Sequence, residues 1–208
     1  MTAPPRPGQL YVISAPSGAG KTSLVKALRA ALPTLSVSVS HTTRPPRPTE
    51  LPGREYHFVT PAAFDALVRA GGFLEHASVF GNQYGTGREQ LEAQLAAGKD
   101  VILEIDWQGA QQVRKSRPGT TSIFILPPSL DALSQRLQGR QTDSPEVIAR
   151  RLAEARGDLS HWAEFDYVVV NDDFDQTLGE LKRILAGDGA GFRAGRADLK
   201  PVLANLLA

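Results

Sequence analysis

The stretch SAPSGAGKTSL, residues 14–24, limits what this chain can fold into more than any other. It follows a short apolar run, LYVIS, and precedes Leu24, Val25, Leu28 and Leu32, which recur at helical spacing before Pro33. That order predicts a buried strand, a glycine loop and a helix. A loop at such a junction aims backbone N–H groups and the positive end of the helix dipole at one point, which suits a phosphate. Gly18 and Gly20 permit tight curvature, Lys21 can reach outer phosphates, and the Thr22 hydroxyl is the ligand type that Mg2+ takes in such loops. Ala15, Pro16, Ser17, Gly18, Ala19, Gly20, Lys21 and Thr22 are therefore the candidate phosphate loop. Ala15 stands where the pattern GxxxxGK[ST] begins with glycine, and alanine serves there only if the backbone has ordinary φ. The other reading of the stretch is a capped polar turn with Lys21 in solvent. An NKxD guanine-reading motif is not supplied by Asn171-Asp172-Asp173.

Beyond the loop, VILEID (101–106), TTSIFIL (120–126) and YVVVN (167–171) are continuous apolar runs separated by crossover-length segments, as buried parallel strands are. LSVSVSHTTR from Leu35 reads as one further extended segment leading into RPPRPTELPG. EYHFV is a short strand, and Thr60-Pro61 caps a helix carrying Phe64, Leu67 and Val68 that stops at Gly71-Gly72. FLEHASVFGNQYG reads as a hairpin, after which Thr86 and Glu89 have capping-box spacing before Leu91 and Leu95. Ser129 and Ser144-Pro145 open two helices, with Leu130, Leu133, Leu137, Ile148 and Leu152 inward, and Leu178, Leu181 and Leu185 mark a closing helix over 174–186. The glycine-punctuated tail reads as a loosely ordered segment with a short docking helix. The expected fold is α/β: a phosphate-loop-type parallel sheet flanked by helices, with an inserted subdomain and a helical lid. The expected division is core 1–42, insertion 43–97, core 98–128, lid 129–157, core 158–186 and tail 187–208.

With 208 residues, one sizeable core with small insertions is the expected scale. A net charge of +1 offers no bulk attraction for nucleic acid or a membrane surface, so any basic site must be local. The absence of cysteine excludes disulfides, thiolate metal ligands and a cysteine nucleophile. His41, His57, His76 and His161 lack HExxH spacing, which argues against a zinc site. No apolar run approaches a membrane span, and the first residues lack a signal-type apolar region; a cytoplasmic protein without membrane or nucleic-acid partners is expected.

Six motifs carry a more specific resemblance: SAPSGAGKTSL, SVSHTTRPPRPTELPGREYHF, FLEHASVFGNQYGT, VILEIDWQGAQQVR, RLQGRQTDSPEVIARRL and YVVVND. In this order, over residues 10–173, they resemble the bacterial guanylate kinases, in which Ser-Ala-Pro-Ser-Gly is itself usual. The resemblance implies an enzyme that transfers the γ-phosphoryl of ATP to GMP with Mg2+. Arg44 and Arg47 would hold the GMP phosphate with Tyr56 and Tyr84, while Glu75, Ser40 and Thr86 would read guanine. Guanidinium forks suit phosphate, a carboxylate suits the N1 and N2 donors of guanine, and a hydroxyl suits O6. Glu104 and Asp106, two apart on the VILEID run, would share a face and organise GMP and the magnesium surroundings. Arg136, Arg140 and Arg151 would meet the migrating phosphoryl group from the lid; the chain has Gly139-Arg140-Gln141 where the family usually has GRG. The expected catalytic set is Lys21, Arg44, Arg136, Arg140 and Arg151. A kinase of another nucleoside monophosphate and a non-catalytic binding module are the alternatives; monomer and homodimer both remain open.

Overall fold

The computed structural model describes residues 6–79, 81–139 and 145–207. Along the chain the elements are β1 (Leu10–Ser14), α1 (Lys21–Ala31), β2 (Leu35–Val37), β3 (His41–Thr42), β4 (His57–Phe58), α2 (Pro61–Arg69), β5 (Phe73–Val79), β6 (Asn82–Gly87) and α3 (Arg88–Ala96). They continue with β7 (Asp100–Glu104), α4 (Trp107–Ser116), β8 (Thr121–Leu126), α5 (Leu130–Gln138), α6 (Pro145–Leu159), β9 (Tyr167–Val170), α7 (Phe174–Leu185) and α8 (Lys200–Leu207). One sheet has the strand order β2-β7-β1-β8-β9, and a second has the order β4-β3-β6-β5. Every residue of β1 is buried, as are Val101 to Leu103 of β7 and Ile123 to Leu126 of β8. Helices on both faces of a parallel sheet require such uninterrupted apolar strands.

The chain forms two compact units. One comprises residues up to Val12 together with Thr34–Thr120. Here the run from Leu35 is divided: β2 pairs in parallel with β7, whereas β3 joins the second sheet, parallel to β4 and antiparallel to β6. Its alternating small polar residues suit either sheet, which is why the sequence reads as one strand. Thr60 accepts a hydrogen bond from the Ala63 amide at 3.2 Å, Pro61 starts α2, and Phe64 packs on Phe73 with ring centroids 4.6 Å apart. Burying such a side chain contributes about 2–3 kcal/mol.

The expected capping box at Thr86 does not form. Thr86 lies on β6 opposite Glu75 of β5, so both side chains face one side of the hairpin, and α3 starts after Gly87 without a side-chain cap. Asp106 also differs from expectation. The strand ends at Glu104, and Asp106 instead caps α4, its Oδ1 accepting from the Gly109 amide at 2.8 Å.

The other unit comprises Ile13–Pro33 and Thr121–Ala208. Helix α1 packs on α7, and α6 packs on α5 and α8. Ser129 caps α5 as expected, with Leu133 and Leu137 buried. On α7 the buried positions are Thr177, Leu181 and Ile184, so Leu178 and Leu185 flank the inward stripe. Similarly, Ile148 and Leu152 are half-buried, whereas Ala155 and Leu159 form the core-facing turn of α6. The tail is more tightly held than its glycines suggest: the Ala194 amide donates to the Asp166 carbonyl, and α8 buries Leu203 and Leu206.

Candidate active site

In the second unit, β1 ends at Ser14 and α1 begins at Lys21, with the glycine loop between them. Its left-handed positions fall on Gly18 (φ 92°) and Gly20 (φ 96°), where a Cβ would strain the backbone. Gly18 is also hemmed in: a Cβ would lie 3.0 Å from Leu137 and 3.1 Å from Leu133 of α5. Gly20 is the N-cap of α1 and offers no side chain to its amides. Lys21 is half-buried and Thr22 exposed on the first helical turn, while Pro16 and Ala19 are buried.

Asn171, just past β9, was not singled out from the sequence, yet its buried Nδ2 donates to the Ala19 carbonyl at 2.8 Å. A Cβ on Gly20 would lie 2.3 Å from that nitrogen. Its own carbonyl accepts from Arg136 Nη2 at 2.8 Å. Asn171 thus supports both the phosphate loop and a candidate catalytic arginine. The available signal was an amide-bearing residue directly after a buried strand.

Arg136 has a buried Nη1 without a hydrogen-bond partner among the described residues. A buried guanidinium donor needs an acceptor, and a ligand phosphate oxygen is of the right kind. Arg151 lies half-buried on α6, and its neighbour Arg150 is exposed, 3.9 Å from Glu154. Arg140 lies outside the described residues.

In the first unit, Arg44 lies over the rings of Tyr56 and Phe58, 5.4 and 5.9 Å from their centroids. The Tyr56 and Tyr84 centroids are 5.8 Å apart, and the electrostatic influence of Tyr84 reaches Arg44. Three of the four expected phosphate-holding residues are therefore together. Arg47 lies at the exposed edge of this group: its side chain is 60% exposed, and its Nη1 lies 3.7 Å from Glu50 Oε1, the oxygen that also accepts from Arg44. Burial, followed by the nearby negative charge of Glu104, pushes the Tyr56 hydroxyl up to about 12. Tyr56 is consequently a neutral donor at physiological pH. Because this pKa is raised, the associated stability is complete below the unfolded value near 10 and is lost as pH rises toward 12. In a phenolate absorbance titration Tyr56 is expected to ionise well above a free tyrosine, and Tyr56→Phe should remove that late step.

Glu75 is only 3% exposed, and Thr86 is fully buried beside it. The Thr86 hydroxyl donates to Glu75 Oε1 at 2.6 Å, so two of the three expected base readers form one unit. A Cβ on Gly109 would lie 2.5 Å from Glu75 Oε2, which explains the glycine in DWQGA. Asp106 bonds the Gly109 amide, and Gln112 exchanges two hydrogen bonds with the backbone of His76. Helix α4 is thereby held against the β5 edge beside Glu75. Ser40 is half-buried, and its carbonyl accepts from the His57 amide. Glu104 is half-buried at the end of β7, and its charge reaches Tyr56.

A glycine loop carrying lysine from a buried strand onto the first turn of a helix defines the phosphate-loop α/β nucleotide-binding proteins. Within that class, the guanylate kinase family model matches residues 7–188, and the chain belongs to the guanylate kinase family. It is 58% identical over 204 residues to the guanylate kinase of Alkalilimnicola ehrlichii, covering 97% of each chain. To that of Hahella chejuensis it is 61% identical over 192 residues, covering 92% of this chain and 89% of the relative. The crystal structure of guanylate kinase from Anaplasma phagocytophilum superposes with a TM-score of 0.74 at 33% identity, covering 96% of this chain and 95% of that one.

Proposed function

We infer that the chain is an ATP-dependent guanylate kinase, converting ATP and GMP to ADP and GDP, and we propose the following residue roles. The observation that carries the acceptor assignment is the buried Glu75–Thr86 pair in the unit that also holds the Arg44, Tyr56 and Tyr84 cluster. Glu75 accepts from the N1 and N2 groups of guanine, Thr86 and Ser40 supply hydroxyls, and Arg44, Arg47, Tyr56 and Tyr84 hold the phosphate. Glu104 and Asp106 organise this half, Asp106 through the helix cap that supports Gly109.

Residues 15–22 cradle the ATP phosphates, with Lys21 on the outer ones. Thr22, exposed on the first turn of α1, fits as the protein hydroxyl on an Mg2+ that would draw charge from the phosphate oxygens. Arg136, through its buried Nη1, and Arg140 and Arg151 stabilise the equatorial oxygens of the transferring group. The attacking GMP phosphate is already largely ionised near neutral pH, so no side-chain base is required, and catalysis rests on orientation and charge. Residues 43–97 are the GMP-binding insertion and 129–157 the ATP lid, acting in the cytoplasm, where both nucleotides are metabolised. None of the described helices is long and apolar enough to cross a membrane.

Product formation with each monophosphate tests the acceptor. GMP is expected to exceed AMP, CMP and UMP by about 10⁴-fold in kcat/KM, because adenine inverts the hydrogen-bond pattern facing Glu75 and leaves buried groups unpaired. Comparable turnover of AMP would reject the assignment.

A further inference from the structure

We propose that Glu50 is a positioning residue for GMP: it holds the Arg44 guanidinium in the orientation that receives the GMP phosphate. This rests on the reading of Arg44 as a phosphate ligand. Glu50 lies in the RPPRPTELPG segment between β3 and β4, outside any regular element, yet its side chain is only 11% exposed. Its two carboxylate oxygens accept from Arg44 Nη2 at 2.8 and 2.9 Å, and Oε2 also accepts from the Arg47 amide at 2.8 Å. The Pro45 carbonyl accepts from Arg44 Nη1 at 2.8 Å, with the rings of Tyr56 and Phe58 nearby. A long side chain that is ordinarily free to sample many rotamers is thereby confined to one.

Two effects of Glu50 oppose one another. A carboxylate beside Arg44 subtracts positive charge from a phosphate site, so charge counting alone expects tighter GMP binding when Glu50 is removed. Orientation expects the reverse, and the geometry favours it. Glu50 is anchored to a backbone amide of its own loop, which ties it to the loop rather than to a ligand-free pose of Arg44. The Arg44 side chain is only 16% exposed, so losing its partner leaves a largely buried charge to seek another arrangement. Burial by itself would raise the Glu50 carboxyl pKa, but the Arg44 bond and Arg47 amide outweigh it and hold the group below the usual carboxylate range. The pair therefore stays ionised at neutral pH.

The test compares Glu50→Ala, Glu50→Gln, Arg44→Ala and the Arg44→Ala/Glu50→Ala double variant. KM for GMP, KM for ATP, kcat and competitive inhibition by guanosine, which lacks the phosphate, are measured for each. Glu50→Ala is expected to raise KM for GMP about tenfold, while KM for ATP and guanosine inhibition stay within about twofold. Glu50→Gln, which keeps an acceptor oxygen, should give a smaller rise, and it carries the comparison if circular dichroism shows that the alanine variant has lost its fold. In the Arg44→Ala background, Glu50→Ala should add less than about twofold. An unchanged or lowered KM for GMP in the Glu50 variants, with Arg44→Ala still raising it, overturns the positioning role. Equal weakening of GMP and guanosine, or full additivity with Arg44→Ala, overturns it as well. An Arg44→Ala variant with unaltered KM for GMP removes the phosphate-ligand reading itself, and the proposal with it.

Discussion

Lys21→Ala is expected to lower kcat by about 10³-fold or more, roughly 4 kcal/mol of transition-state stabilisation, while leaving the fold intact. The size follows from position. Lys21 is the first residue of α1, reached from Gly20 in the left-handed conformation, so its ammonium extends from the point where the helix amides begin. Phosphoryl transfer offers a protein little covalent work, and a cation fixed near the outer phosphates acts mostly on charge that develops during transfer. The loss should therefore fall on kcat and not only on KM for ATP. The fold should survive because alanine is the better helix former, and the loop's shape depends on Gly18, Gly20 and the Asn171 bond to Ala19. Steady-state kinetics with a thermal melt checks both halves. An unaltered rate in a folded variant would remove the account of donor binding.

Glu75→Gln is expected to lower kcat/KM for GMP by about 10³-fold, again roughly 4 kcal/mol. The side chain is nearly isosteric, so the change isolates hydrogen-bond polarity. If Glu75 reads the base as proposed, an amide NH2 in place of a carboxylate oxygen turns a donor toward the guanine N1 and N2 donors at a side chain that is only 3% exposed. The Thr86 hydroxyl can still donate to the remaining oxygen, which limits damage to the hairpin. KM for ATP should change little, and discrimination between GMP and other monophosphates should fall sharply. A variant that keeps both its GMP activity and its selectivity would exclude Glu75 as the base reader.

Most of the architecture was legible along the chain, for a physical reason. LYVIS, VIL and SIFIL are buried on both faces, so they have no polar alternation and read as central strands without reference to partners. Thr60, Ser129 and the glycines of the loop act within four residues of themselves, so their caps and turns were also readable. Where two local readings compete, the sequence is insufficient. Thr86 sits three residues before Glu89 in capping-box spacing, yet its hydroxyl is directed by the β5–β6 register to Glu75, eleven residues earlier. Asp106 shows the converse case, a residue expected on a strand face that a local helix start claims instead.

The sequence by itself determined the class of chemistry: a phosphate loop between strand and helix, and a set of arginines, tyrosines and a glutamate whose functional groups match a nucleoside monophosphate. Only the tertiary structure decided which of those groups are held and by what. Glu50 on Arg44, Asn171 on Ala19, and Gly109 against Glu75 join residues from 6 to 152 positions apart. Such contacts leave no periodic or local trace, because a single hydrogen bond or a missing Cβ imposes no pattern on the intervening chain. They exist only once packing has brought the partners together.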